Sequence, residues 1–232
     1  MKNLKGKLIV IDGSDGSGKA TQTALLLKRL KREGRRARTL DFPRYEANLF
    51  GGLIGECLAG EHGDFAGLDP RIASVLYAAD RFESKRMIEK WLAEGCVVVL
   101  DRYVSSNQIH QGGKIPDAKR RREFLAWLDR MEFGVFGLPR PDVIIHLHVP
   151  TETSRQLLLE KGATEKKPYL RGGKKRDVVE TNEKYLEDSR ESALRLVRKQ
   201  NDWRQVECTR RGVLLSREEI AEQVFGIVSS ML

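Results

Sequence analysis

Residues 11–23 read "IDGSDGSGKATQT". The stretch follows the apolar run "KLIV" and leads into a segment where Leu26, Leu27 and Leu30 recur at helical spacing. An apolar strand, a glycine-rich turn and a helix, in that order, are the context in which the pattern G-x-x-x-x-G-K-[ST] binds phosphate. Gly13, Gly18 and Lys19 stand where the pattern needs them. Backbone N–H groups of such a loop converge on an anion, and the helix dipole adds positive potential at the same point. We therefore expect Ser14, Asp15, Gly16, Ser17, Gly18, Lys19, Ala20 and Thr21 to line the phosphates of ATP, with Lys19 on the transferred group. One position departs from the pattern. The hydroxyl that normally ligates magnesium is replaced by Ala20, and Thr21 lies about 100° further round the helix. Either other groups hold the metal through waters, several of which magnesium keeps in any case, or the loop binds nucleotide without turning it over.

Working outward from the loop, apolar and amphipathic segments alternate. "GKLIVID", "RARTLDF", "CVVVLD", "DVIIHLHV" and "DWRQVEC" read as five strands. Helices are expected over residues 19–33, 48–58, 69–94, 117–133, 151–162, 183–200 and 216–232. Asp117 is an expected N-cap, and Ser216 with Glu219 makes a capping-box pattern. Strands that are apolar throughout, separated by helices, imply a parallel sheet covered on both faces. The expectation is one α/β domain over residues 1–232, a five-stranded parallel sheet flanked by helices. Residues 163–180, "ATEKKPYLRGGKKRDVVE", are polar, basic and glycine-containing, and read as a mobile loop, which in a phosphoryl-transfer enzyme would be a lid.

Composition narrows the function. The chain has 232 residues, 40% hydrophobic and 32% charged, with a net charge of +9. No apolar run approaches the length of a membrane span. The opening "MKNLKGKLIVIDG" has too short an apolar run for a secretory signal, so a cytoplasmic protein is expected. Cys57, Cys96 and Cys208 lack metal-site spacing. The positive charge suits nucleotides or nucleic acid. Its densest block, "LKRLKREGRRAR", reads better as the solvated side of a helix whose leucines face inward, and no nucleic-acid partner is expected.

Ligands of open α/β sheets bind beyond the carboxyl ends of the strands. "VVVLDRY" places Asp101 and Arg102 there: the aspartate suits a hydrated magnesium, the arginine a phosphate. "DFPRY" brings Phe42, Arg44 and Tyr45 to the same edge, with Phe42 as an aromatic wall or a core residue and Arg44 as a second phosphate clamp. Tyr77 and Arg81 are four residues apart, on one helix face, and suit a planar base. Asp15, inside the loop, either stabilises the turn or binds a hydroxyl or hydrated cation. In the lid, Arg171 and Arg176 are among the cations that closure brings against the transferred phosphoryl.

The ordered set "LIVIDGSDGSGKATQ", "DFPRY", "GEHGDF", "LYAADRFESK", "LDRYVSSNQIHQGGK" and "MEFGVFGLPRPD" resembles the thymidylate kinases, nucleoside monophosphate kinases of the P-loop NTPase fold. The resemblance covers nearly the whole chain. It implies Mg2+- and ATP-dependent phosphorylation of dTMP to dTDP, catalysed with Lys19, Asp15, Arg102 and a lid arginine, Arg171 or Arg176. It also implies an acceptor site that includes Asp15, Phe42, Arg44, Tyr45, Tyr77, Arg81, Arg102, Ser106, Asn107, His110 and Gln111. Tyr77 would stack on thymine, Arg81 would meet its O4, and Asn107 would contact the base. Asp101, Asp15 and Glu180 would order the metal, and the family's usual assembly is a homodimer. The sequence departs from the family at Ala20, at Gly16, which follows Asp15 in place of an arginine, and at His110, where a tyrosine often contacts the sugar. Val179 falls where some relatives carry a lid aromatic. Tyr77 and His110 leave open a kinase for another pyrimidine deoxynucleotide such as dUMP, and Ala20 leaves open a nucleotide binder without turnover.

Overall fold

The computed structural model describes residues 6–162 and 182–232. The expected lid, with Arg171, Arg176, Val179 and Glu180, lies outside the described residues. The chain runs β1 (Lys7–Gly13), α1 (Lys19–Arg32), β2 (Ala37–Asp41), α2 (Leu49–Ala59), α3 (Pro70–Ala93), β3 (Val97–Asp101), α4 (Val104–Gly113) and α5 (Ala118–Asp129). A π-helical turn (Arg130–Val135) follows, then β4 (Val143–His148), α6 (Thr151–Gly162), α7 (Glu183–Lys199), β5 (Trp203–Glu207), a small hairpin of β6 (Thr209–Arg210) and β7 (Val213–Leu214), and α8 (Arg217–Ser229).

The five main strands form one parallel sheet in the order β2-β3-β1-β4-β5. The loop-bearing strand is therefore central. From β1 the chain builds outward to β2, returns to β3, then crosses to β4 on the other side. This reversal opens a crevice at the carboxyl ends of β1 and its two neighbours.

Side chains of β1 alternate between two cores, as strand geometry requires. Leu8 and Val10 join Val98, Leu100 and Ile144, beneath Ile88 and Leu92 of α3, Ile109 of α4 and Leu196 of α7. Ile9 and Ile11 join Val99, Ile145 and Leu147, beneath Leu26 and Leu30 of α1 and Ile220, Val224 and Val228 of α8. Each such residue is close to fully buried, contributing about 1.5–3 kcal/mol. The leucine stripe of α1 thus faces the sheet, and its basic side faces water, as the sequence spacing implies.

Helix ends follow their capping residues. Asp69 and Asp117 each accept a first-turn N–H, and Ser216 with Glu219 closes the capping box. α1 is different. Its N-cap is Gly18, in the left-handed region at φ 86°, and no side chain caps it. Gly13 is required by close approach: a Cβ there would lie 2.8 Å from the Leu147 carbonyl oxygen.

Three elements differ from the sequence expectation. The helix expected over 117–133 is α-helical only to Asp129 and then widens, with the Phe136 N–H reaching back to the Met131 carbonyl. α4 had no start signal, since its N-cap is Tyr103 and makes no side-chain cap. The β6–β7 hairpin is too short to carry a periodic pattern.

Candidate active site

The crevice is built from the ends of three strands. β1 delivers the glycine loop, and β3 delivers Asp101 and Arg102. β4 delivers His146, which lines the same recess as Ser14, Asp15 and His110. Because Gly18 offers no cap, the first N–H groups of α1 point at the loop with no partner inside the helix, which is the geometry of an anion site.

Lys19 is 8% exposed. Its ammonium donates to the carbonyl oxygens of Gly13, at 3.1 Å, and Ser14, at 2.9 Å, and lies 3.7 Å from the Asp15 carboxylate. Burial, with Arg102 close by, holds its pKa below the usual lysine range. Ser154, on α6, donates to the Asp15 carbonyl and meets the Ser14 hydroxyl at 3.2 Å, tying the loop to the far wall. Ala20 is exposed and Thr21 half-buried.

Arg102 faces the loop from β3. It adopts φ 67°, rare for a residue with a side chain. Its guanidinium pairs closely with Asp15, donates to His110 Nε2 at 3.1 Å and lies 3.8 Å from Asp12. Burial opposes its charge, yet Asp15, Asp12 and Asp101 together raise its pKa; Tyr45 also acts on it. An arginine can only donate, so His110 Nε2 accepts and Nδ1 carries the proton. That Nδ1–H reaches the Ser189 hydroxyl on α7 at 3.1 Å, and the ring stacks on Tyr185 at 5.7 Å. Burial, then Arg102, pushes the His110 pKa down to about 4, so the ring is neutral near pH 7.

Sequence reasoning passed over Asp12, although a carboxylate ending an apolar strand was a visible signal. Asp12 is fully buried and accepts from the Gly13 N–H at 2.8 Å, Ser105 at 2.6 Å and Ser106 at 2.8 Å. Burial alone would raise its pKa; Arg102, the Ser105 hydroxyl and Lys19 outweigh that, and the net shift is downward. Asp101 stands half-buried and accepts no side-chain hydrogen bond from the described residues. Burial raises its pKa despite the opposing pull of Lys19 and Arg102.

A second group lies deeper. Arg81 is 2% exposed and clasps Glu132 through two hydrogen bonds of 2.8 and 2.7 Å, with a third donated to the Tyr103 carbonyl at 3.3 Å. Asn107 also donates to Glu132, at 2.7 Å. Glu132 was not anticipated: "DRMEF" reads as the polar side of a surface helix, and the π-helical turn turns it inward. Tyr77 is half-buried against Phe65 at 6.0 Å between ring centres. Phe42 is 4% exposed and packs on Tyr103 within the core, the core alternative of the sequence reading. Arg44 donates to Asn48 at 3.3 Å and Ser84 at 3.1 Å, while its backbone N–H meets Asp80. Gln111 is buried, and its Oε1 has no partner among the described residues.

The structure thus brings Asp15, Lys19, Asp101, Arg102, Ser106 and His110 around one crevice, and joins Arg81 to Asn107. Among the described residues, no three metal-ligating side chains converge, and no helix is long and apolar enough to cross a membrane.

A family model described as thymidylate kinase matches residues 11–220. The thymidylate kinase of Mycobacterium tuberculosis is 35% identical over 173 residues, which cover 75% of this chain and 77% of that protein. That of Plasmodium falciparum is 31% identical, over 71% of this chain and 75% of the other. A solved thymidylate kinase structure from Candida albicans shares the fold, with a TM-score of 0.72 over 97% of this chain and 92% of that one, at 23% identity. One family model thus spans both the glycine loop and the cluster around Arg102, and this chain belongs to the thymidylate kinase family.

Proposed function

We propose that this chain transfers the γ-phosphoryl group of ATP to dTMP, giving ADP and dTDP. The observation that carries the reading is the buried Lys19 ammonium, held on the carbonyls of a loop that opens an uncapped helix. The N–H groups from Gly16 to Thr21 take the phosphates of ATP, and Lys19 leaves its carbonyl partners for the transferred group. Arg102, with Arg44 further out, takes the phosphate of dTMP. The acceptor is already an anion at neutral pH, so no strong base is required, and rate comes from alignment and charge neutralisation. Tyr77 offers its ring to the base, with Arg81 and Asn107 at the base edge. Arg171 or Arg176 arrives with the lid, whose closure excludes water and favours transfer over hydrolysis.

The side chains present fit magnesium held mainly by nucleotide oxygens and water. The Asp101 carboxylate accepts no hydrogen bond from the described residues, Asp15 and Asp101 both act on Arg102, and Ala20 offers no oxygen. Asp101 and Asp15, with Glu180 from the lid, would hold the ion through waters, and its chemistry there is neutralisation of phosphate charge.

We also read the chain as one kinase domain that acts as a homodimer. Ile72, Val75 and Phe82 are 58%, 41% and 48% exposed along one face of α3, with Leu49 of α2 at 80%, an apolar surface that a second copy would cover. The buried thiols of Cys57, Cys96 and Cys208, all unpaired, suit the reducing cytoplasm.

The test is ADP formation from ATP with dTMP, dUMP, dCMP or no acceptor. Turnover with dTMP, lost by about a thousandfold or more in Lys19→Met with nearly unchanged melting, is the expected result. Near-normal activity in that variant would sink the assignment.

A further inference from the structure

The buried cluster below the crevice has a directional property. Glu132 is 0% exposed, and each of its hydrogen-bonding partners is a donor: Arg81 Nε to Oε2, Arg81 Nη2 to Oε1, and Asn107 Nδ2 to Oε1. Asn107 Nδ2 gives its other hydrogen to the Ser74 carbonyl at 3.2 Å. A carboxylate and a carbonyl can only accept, so the amide of Asn107 has one allowed orientation. The flipped amide would set Oδ1 against two oxygens and cost the buried Glu132 carboxylate one of its three donors. Oδ1 accepts no hydrogen bond from the described residues, and it is not among the buried atoms cut off from solvent. The fold therefore presents Asn107 as an acceptor. The same carboxylate fixes the plane of the Arg81 guanidinium, leaving one hydrogen each on Nη1 and Nη2, so Arg81 is presented as a donor.

An acceptor beside a donor complements one kind of pyrimidine. Uracil and thymine carry an N3–H donor next to an O4 acceptor, whereas cytosine carries an N3 acceptor next to an N4–H2 donor. Resting on the reading that Arg81 and Asn107 meet the acceptor base, we propose that Glu132 is a positioning residue for base specificity. By holding Asn107 and Arg81 in these orientations, it makes the site take uracil-type bases and reject cytosine. Glu132 does not touch the nucleotide. Sites built to hydrogen-bond a polar edge discriminate strongly, because the wrong edge leaves buried groups unpaired. The π-helical turn that ends α5 is what carries this carboxylate to the cluster, consistent with the tendency of such turns to mark functional positions.

The experiment compares kcat/KM for dTMP, dUMP, dCMP and N3-methyl-dTMP in the full chain and in Glu132→Gln. Wild-type protein is expected to use dTMP and dUMP far better than dCMP, and to lose about a hundredfold or more on N3 methylation. In Glu132→Gln one acceptor oxygen becomes an NH2 group, the Asn107 amide is free to turn, and the ratio of dTMP to dCMP is expected to fall about tenfold or more with the KM for ATP unchanged. A purely structural role would lower every acceptor by one factor and leave the ratio intact, and that result overturns the proposal. Should Glu132→Gln fail to fold, Asn107→Ala keeps the Arg81–Glu132 pair and is expected to erase the same ratio; an unchanged ratio there overturns it equally. Equal use of dTMP and its N3-methyl form by the wild type also overturns it while leaving the kinase assignment standing. Wild-type protein that neither binds nor phosphorylates any pyrimidine monophosphate overturns both.

Discussion

His146 gives a test that depends on the folded environment alone. It sits on β4 opposite Asp12 of β1, 3% exposed, with its ring 6.4 Å from Trp203 and 6.3 Å from His148. Its Nδ1 is buried and has no hydrogen-bond partner among the described residues. Burial lowers its pKa from 6.5 to about 4; Asp12 opposes this, and His148 and Lys19 reinforce it. The sign follows directly. Above about pH 7 the ring is neutral in both folded and unfolded chains, and its titration contributes nothing. Between about 6.5 and about 4 the unfolded chain binds a proton that the folded chain refuses, so stability is lost as pH falls. From about pH 7.5 to about pH 5 this one residue is expected to remove about 2 kcal/mol. His146→Leu deletes the titration and the orphaned nitrogen, with some lost packing against Trp203. Near neutral pH its stability is expected within about 1 kcal/mol of wild type. The assay is urea unfolding followed by tryptophan fluorescence at several pH values. As pH falls, wild type is expected to lose about 2 kcal/mol more than the variant, whichever of the two is the more stable at neutral pH. Parallel curves over that range would refute the reasoning, because they would mean that His146 takes up its proton equally in both states.

Three further outcomes are expected. Asp12→Asn leaves the donors of Gly13, Ser105 and Ser106 sharing one oxygen and deprives Arg102 of a counter-charge; a loss of about 2–4 kcal/mol is expected in urea unfolding at neutral pH. Ser216→Ala removes the hydroxyl that accepts the Glu219 N–H and breaks the capping box; it is expected to lower stability by about 1 kcal/mol and leave kcat unchanged. Asp15→Asn removes the carboxylate that competes with phosphate for Arg102 and Lys19. Calorimetric titration without magnesium is expected to show ATP binding tightened by roughly tenfold, while turnover with magnesium falls.

Much of the fold was legible because its signals are local. Apolar runs gave the strands, three of the five ended by Gly13, Pro43 or Pro150, and Asp117 and the Ser216–Glu219 pair marked two helix starts. The phosphate loop was legible for the same reason, since strand, glycines and lysine fall within 13 consecutive residues. Glu132 was not, because its meaning lies in Arg81, 51 residues away, and in Asn107, 25 away. No local pattern distinguishes a glutamate that covers a helix in water from one that is buried on an arginine. α4 was missed because Tyr103 gives no side-chain cap and a glycine pair ends the helix. The resemblance placed Arg81 and Asn107 at the base, but the carboxylate that joins them emerges only from the folded arrangement.

His110 shows how a departure from the family pattern can be absorbed. A tyrosine there would offer a hydroxyl. The imidazole instead spends both nitrogens, accepting from Arg102 and donating to Ser189. Its low pKa is a condition of that arrangement, since a charged ring could not accept from an arginine. The residue therefore works as a neutral spacer that holds Arg102, proposed above to take the acceptor phosphate, in a left-handed backbone conformation. Its other partners, Ser189 and Tyr185, lie on α7, the helix that follows the expected lid in the chain. Ala20 is a departure of a different kind. Alanine offers no oxygen at that position, and in the proposed mechanism the Asp101 carboxylate, which accepts no hydrogen bond from the described residues, would order the hydrated cation. The first substitution rewires contacts within the protein; on the proposed mechanism the second would shift a metal contact from protein to water, and only the second would then make turnover sensitive to how the ion is hydrated.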